Sequence, residues 1–263
     1  MTFTGLIGKI FMFPLRAIIA SCVALRIHPN VLTFMGVVIN AWAAVHLGRG
    51  QFVTAGFIIL LANIFDFIDG KVAVELGAVS RFGGFWDSVI DRFSDILLFF
   101  GPIYLYTTLG RPDYVMIASF AMMFALMTSY TRARAESLIQ KCKVGFMERP
   151  ERIVLFILGA FTNRMAGVLW VILVLSVFSV ADRVILTYRV LERGTEERPK
   201  AITNAPLPVR MLWNGFFWTF ERATWQYDVM VIVILAFTWL VPPDWLRDPV
   251  AFGSGPIGWI LSR

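Results

Sequence analysis

Residues 66–91 read DFIDGKVAVELGAVSRFGGFWDSVID, and in them four carboxylates, Asp66, Asp69, Asp87 and Asp91, interrupt some of the most apolar sequence in the chain. An unpaired acid at membrane depth costs about 2.5–3.5 kcal/mol, so four together need a compensating partner, and divalent cations meet that need with the fewest ions. Asp66 and Asp69 stand three residues apart and Asp87 and Asp91 four apart, so helices through both segments put each pair on one face. The pairs also mirror each other about Ala78. A turn near Gly77–Ser80 that closes an antiparallel helical hairpin brings both pairs to one depth, where four carboxylates ring a small volume. An all-oxygen set suits Mg²⁺ or Mn²⁺ and has the charge for two ions, as phosphoryl-transfer sites often do. No Cys or His lies between the acids, which disfavours zinc. This stretch is the candidate active site.

The surrounding sequence supplies a membrane setting. Of 263 residues 58% are hydrophobic and only 16% charged, and the mean hydropathy is +0.71, well beyond an ordinary soluble domain. The expectation is an all-α polytopic membrane protein of about six transmembrane helices: 31–47, 51–76, 83–109, 114–139, a short apolar run 153–162 extended by the turn before it, and 165–186. Residues 1–27 read as an amphipathic interfacial helix bent near Pro14, and Arg16 cuts its apolar run too short for a secretory signal. Residues 28–191 form the membrane domain and 192–210 a polar linker. An aromatic and apolar extension, 211–263, follows. Within it Val229–Val241 is either a seventh span or a re-entrant helix.

The net charge of +6 raises nucleic acid as a partner, but the basic residues cluster in loops beside apolar segments, as membrane orientation and lipid contact require. Turns after the first, third and fifth spans hold Arg49, Arg111 and Arg164, whereas the opposite set holds many more, among them Lys71, Arg81, Arg132, Arg134 and Arg149. That asymmetry puts the Asp cluster in the cytosol, and the expected location is the plasma or inner membrane of a prokaryote. Cys22 and Cys142 lie far apart beside basic segments, and no disulfide is expected.

The stretch resembles the signature of the CDP-alcohol phosphotransferase family, DxxDGxxAR followed after eight residues by GxxxDxxxD. Asp66, Asp69, Gly70, Ala73, Gly83, Asp87 and Asp91 stand in register with it. One position departs, Val74 where the family has Arg, with Lys71 and Arg81 as candidates to supply the missing charge. The Pro29–Thr33 run also resembles the family, in which it helps form the nucleotide pocket; read from sequence alone, Pro29 and Asn30 are an ordinary helix start. Farther on, Arg132-Ala133-Arg134-Ala135-Glu136 and the ERPER run 148–152 are similar to the phosphatidylinositol phosphate synthase branch.

The resemblance implies a metal-dependent enzyme that moves a phosphatidyl group from CDP-diacylglycerol or a similar CDP-alcohol to a phosphorylated polyol, inositol phosphate first, releasing CMP. It implies Asp66, Asp69, Asp87 and Asp91 as metal ligands, with Asp91 also the general base. Pro29, Asn30, Thr33, Gly70, Ala73 and Gly83 would bind the nucleotide, joined by Ser80, whose place in the turn lets it hydrogen-bond a phosphate or the ribose; Arg132, Arg152 and Arg193 would bind the acceptor phosphate, and the working unit would be a homodimer. Membrane lipid is a further partner and nucleic acid is not. For Lys141 and Lys143, lipid contact is the simpler reading. Two alternatives stay open: the same chemistry on glycerol 3-phosphate or another alcohol, and a non-enzymatic cation transporter or degenerate lipid-binding relative. Transport acids belong along a path through several spans, whereas these gather at one interface.

Overall fold

A computed structural model of the protein describes residues 15–142, 144–194, 206, 225–241 and 243–251. The first fourteen residues of the expected interfacial helix with its bend at Pro14, Lys143, most of the 192–210 linker and the aromatic run 211–222 lie outside the described residues. The described elements are all helices: α1 (Leu15–Ala24), α2 (Pro29–Gly48), α3 (Phe52–Glu75), α4 (Arg81–Thr108), α5 (Pro112–Glu136), α6 (Arg149–Thr162), α7 (Met165–Arg193), α8 (Trp225–Leu240) and α9 (Pro243–Leu246).

Helix boundaries follow local chemistry. Pro29 opens α2, where it needs no N–H partner, and the His28 ring Nδ1 accepts from the Asn30 N–H at 3.2 Å. After Glu75 the chain turns through Gly77, whose φ of +62° a side chain would resist, and Ser80 restarts it by accepting the Gly83 N–H at 2.9 Å. The expected turn is thus present at the expected place, and the two helices it joins pack chiefly on α2 rather than along one another. Glu148 and Glu151 form a reciprocal capping box at the start of α6.

α2 packs on α3 and α4, α5 on α4 and α7, and α6 on α3 and α7. The core cluster runs through all six, from Leu47 on α2 and Phe99 on α4 to Phe156 on α6 and Ile172 on α7. Ile19 and Cys22 of α1 bury against Leu32, Ile68 and Val72. Four helices, α2, α3, α5 and α7, are long and apolar enough to cross a bilayer. The other two of the six-helix core miss that test for different reasons. α4 carries the acids and Arg92, and α6, with 14 residues, is only about 21 Å long. α7 runs to Arg193, past the expected end at Leu186, because the residues beyond Leu186 continue the helix until Gly194 closes it at φ +61°.

α8 packs on α7. At its C-terminal end the Val241 carbonyl accepts from Arg164 Nη1 at 3.3 Å, and beyond α9 the Val250 carbonyl accepts from Asn163 Nδ2 at 3.1 Å. Arg111 Nη1 donates to the Arg247 carbonyl and the Tyr114 hydroxyl to that of Leu246. Arg111 and Arg164, which the loop charges alone make markers of topology, therefore also hold the extension against the far end of the bundle.

Candidate active site

The α3–α4 hairpin brings Asp66, Asp69 and Asp87 together, each offering a carboxylate oxygen within 4.8 Å of the others. The fourth acid, Asp91, lies one turn farther along α4 and faces a cation instead. Arg149 Nη1 sits 3.0 Å from Asp91 Oδ1 and 2.8 Å from Asp66 Oδ2, tying the hairpin to the start of α6. Arg92 Nη1 adds a contact to Asp91 at 3.5 Å. Thr33 donates its hydroxyl to Asp69 Oδ2 at 2.5 Å, so the first turn of α2 orients one member of the trio.

The residue types fit a hard divalent cation. The donor set is carboxylate only, and among the described residues the one cation in salt-bridge contact with the trio, Arg149 on Asp66, leaves its negative charge in excess. Three converging acids of one sign in a helical bundle are otherwise costly.

Two cavities flank this cluster. The first, about 270 Å³, is lined by Pro29, Asn30, Thr33, Asp69, Gly70, Ala73, Ser80, Gly83 and Asp87, together with Val74. All seven residues expected at the nucleotide border this one space. Gly70 leaves its share open, since a Cβ there would meet nothing within 4 Å. A Cβ at Gly83 would stand 3.1 Å from the capping Ser80 oxygen. Among the described residues no basic side chain lines the cavity. Lys71 and Arg81, the candidates to replace the missing Arg, are not among the lining, and the Lys71 ammonium rests 5.6 Å from the centre of the Phe67 ring.

The second cavity, about 480 Å³, lies on the Asp91 side and is lined by Arg132, Arg149 and Arg183 among others. Arg132 lies 2.8 Å from Glu148 and 3.1 Å from Glu136. Arg152 is fully buried beneath the cavity, its Nη2 2.5 Å from Asp95 Oδ2 and its Nη1 3.1 Å from Thr128 Oγ1. Arg193 is exposed at the end of α7 and does not line the cavity; Arg183, about 15 Å nearer the bundle centre by helical rise, does. Arg183 donates to the carbonyls of Val144, at 3.0 Å, and Thr128, and its Nη2 lies 3.5 Å from Glu148.

Sequence reading passed over Arg149, Arg183 and Asp95 as site residues. Two signals were present: Asp95 continues the four-residue stripe of Asp87 and Asp91, and Asp182-Arg183 is a charged pair inside an apolar run.

The family model for CDP-alcohol phosphatidyltransferase matches residues 26–181. The chain is 32% identical over 182 residues to an archaetidylinositol phosphate synthase of Pyrococcus horikoshii, covering 69% of this chain and 94% of that one. It is 32% identical over 148 residues to a phosphatidylinositol phosphate synthase of Cutibacterium acnes, covering 55% and 72%. Among solved structures, the Mycobacterium tuberculosis phosphatidylinositol phosphate synthase in complex with manganese and citrate superposes with a TM-score of 0.62 at 25% identity, over 66% of this chain and 88% of that one. The same enzyme with CDP-DAG bound superposes with a TM-score of 0.62 at 24% identity, over 66% and 93%. With more than half of its length matched and its helices in the same arrangement, this integral membrane protein belongs to the CDP-alcohol phosphatidyltransferase family.

Proposed function

We propose that the protein transfers a phosphatidyl or related lipid phosphoryl group from a CDP-alcohol, CDP-diacylglycerol first, to a hydroxyl of a phosphorylated polyol, inositol phosphate first, releasing CMP. The observation that carries this reading is that the two cavities meet on α4: Asp87 lines one and Asp91 the other, a single turn or about 6 Å apart. A donor in the first cavity and an acceptor in the second then present their reacting atoms to one another across that turn. The relatives named as phosphatidylinositol and archaetidylinositol phosphate synthases support the acceptor class.

Asp66, Asp69 and Asp87, with Asp91 at the edge of the set, would hold one or two Mg²⁺ or Mn²⁺ ions. Such ions, when bound, neutralise the donor pyrophosphate and stabilise the departing CMP phosphate. The open floor at Gly70 and Ala73 admits the nucleotide, and Thr33 keeps Asp69 aligned. Asp91 takes the proton of the acceptor hydroxyl as its oxygen bonds to phosphorus and the bond to CMP breaks, the electron pair leaving with CMP. Arg149 touches Asp91 Oδ1 as an ion pair without hydrogen-bond alignment, so that oxygen keeps a lone pair for the proton. Arg132, Arg149 and Arg183 supply the positive wall for an acceptor phosphate, and buried Arg152 with Asp95 braces it. The excess of basic residues on the hairpin side supports a cytosolic site in a prokaryotic plasma membrane, and the family resemblance supports a homodimer.

The test is CMP release by purified protein with Mg²⁺ or Mn²⁺ across inositol phosphate, inositol, glycerol 3-phosphate and serine. Release with inositol phosphate is expected, falling at least about a hundredfold in Asp91→Asn. Release with glycerol 3-phosphate alone reassigns the acceptor, and release with none, from folded protein, defeats the reading.

A further inference from the structure

Between α6 and α8 lies an apolar slot of about 330 Å³, walled on one side by Phe146, Pro150, Val154 and Leu158 and on the other by Val231 and Leu235. The charged residue on its border, Glu151, turns its carboxylate to the Glu148 backbone N–H at 3.2 Å, which leaves a hydrocarbon wall. An apolar cavity of about 150 Å³ already holds a benzene ring, so this one has room for roughly a dozen chain carbons. One wall belongs to α8, which lies beyond the matched residues 26–181, so the slot is a feature of this chain's own extension.

The slot adjoins the polar site on its acceptor side. Pro150 lines both the slot and the arginine-walled cavity, and its neighbour Arg149 reaches Asp66 and Asp91. A chain lying in the slot therefore starts beside the reacting centre. Bilayer lipid is as apolar as the slot walls, so transfer into it gains little by itself. What selects the occupant is tethering: a lipid whose headgroup is held in the polar site presents its own chain at high effective concentration.

We propose that α6 and α8 together seat one hydrocarbon chain of the CDP-linked lipid, an inference that rests on the CDP-lipid reading above. The test uses the full-length protein in phosphatidylcholine nanodiscs with CDP-diacylglycerol bearing a diazirine at mid-chain, irradiated and mapped by mass spectrometry. Adducts are expected within 146–158 and 229–240, falling about fivefold or more under excess unlabelled CDP-diacylglycerol, whereas a diazirine phosphatidylcholine shows no such competition. In Leu235→Trp, which fills the slot, the ratio of kcat/KM for a long-chain over a four-carbon-chain donor should fall about fivefold. CMP release together with labelling that ignores competition, or with an unchanged ratio, sinks the slot alone. No CMP release and no competed labelling anywhere in the chain sinks both the slot and the CDP-lipid reading.

Discussion

Arg152 and Asp95 form a buried pair, 1% and 4% exposed, which separates bracing from substrate contact. Removing one partner strands a charge, so Arg152→Ala should cost about 3–5 kcal/mol, read as a lowered melting temperature. Arg152→Met with Asp95→Leu, which removes both charges, should recover most of that loss. Exposed Val74 makes the opposite case. It borders the first cavity, which has no basic side chain among its described lining, and its 67% exposure leaves space for a longer one. Val74→Arg should therefore lower KM for the CDP donor about tenfold, the effect of one charge-assisted hydrogen bond to a phosphate. An unchanged KM would mean that the pyrophosphate is already neutralised without it.

At the scale of elements, the site depends on how closely α4 approaches α2. A Cβ at Gly101 would stand 2.6 Å from the Leu47 Cβ and 2.8 Å from the Ala44 carbonyl oxygen, and neither can yield without moving a helix. Pro102 follows at once, inside α4, where it removes a backbone donor near this crossing. Gly101→Ala should destabilise the protein by about 1–3 kcal/mol in thermal unfolding. It should also lower CMP release, because α2 carries Thr33 and α4 carries Asp87. The hairpin itself was legible from spacing, since a three- and a four-residue interval each mark one helix face and Gly77 and Ser80 mark the turn.

For the whole molecule, α8 decides where the extension ends. Val231, Ile234 and Leu235 in its middle share a slot with Phe146 and Pro150, and the Val241 carbonyl just past its C-terminal end meets Arg164 between α6 and α7. A helix that crosses the bilayer would carry the chain from one face to the other. Val79, at the hairpin turn, is 70% exposed, and Trp245, in α9, 80%. In oriented vesicles, Val79→Cys and Trp245→Cys should be labelled by an impermeant maleimide from opposite sides; labelling from one side would make α8 re-entrant. The native background should stay low, because Cys22 and Cys142 are both buried and burial pushes the Cys142 thiol up, away from its reactive thiolate.

Sequence alone determined the membrane class, the helical hairpin and its acids, because these depend on short-range periodicity, composition and a turn written in neighbouring residues. It also marked the family, through seven residues at fixed spacing. Only the tertiary structure decided which cation meets which acid. Arg149 lies 83 residues from Asp66, and Arg152 lies 57 from Asp95. It also brought Arg183 rather than Arg193 to the second cavity and turned Arg111 and Arg164 toward the extension. Juxtamembrane arginines look alike in a sequence, where all serve topology equally well. Their separate tasks arise from helix packing, which sets the depth and direction of each side chain and leaves no periodic trace in the chain.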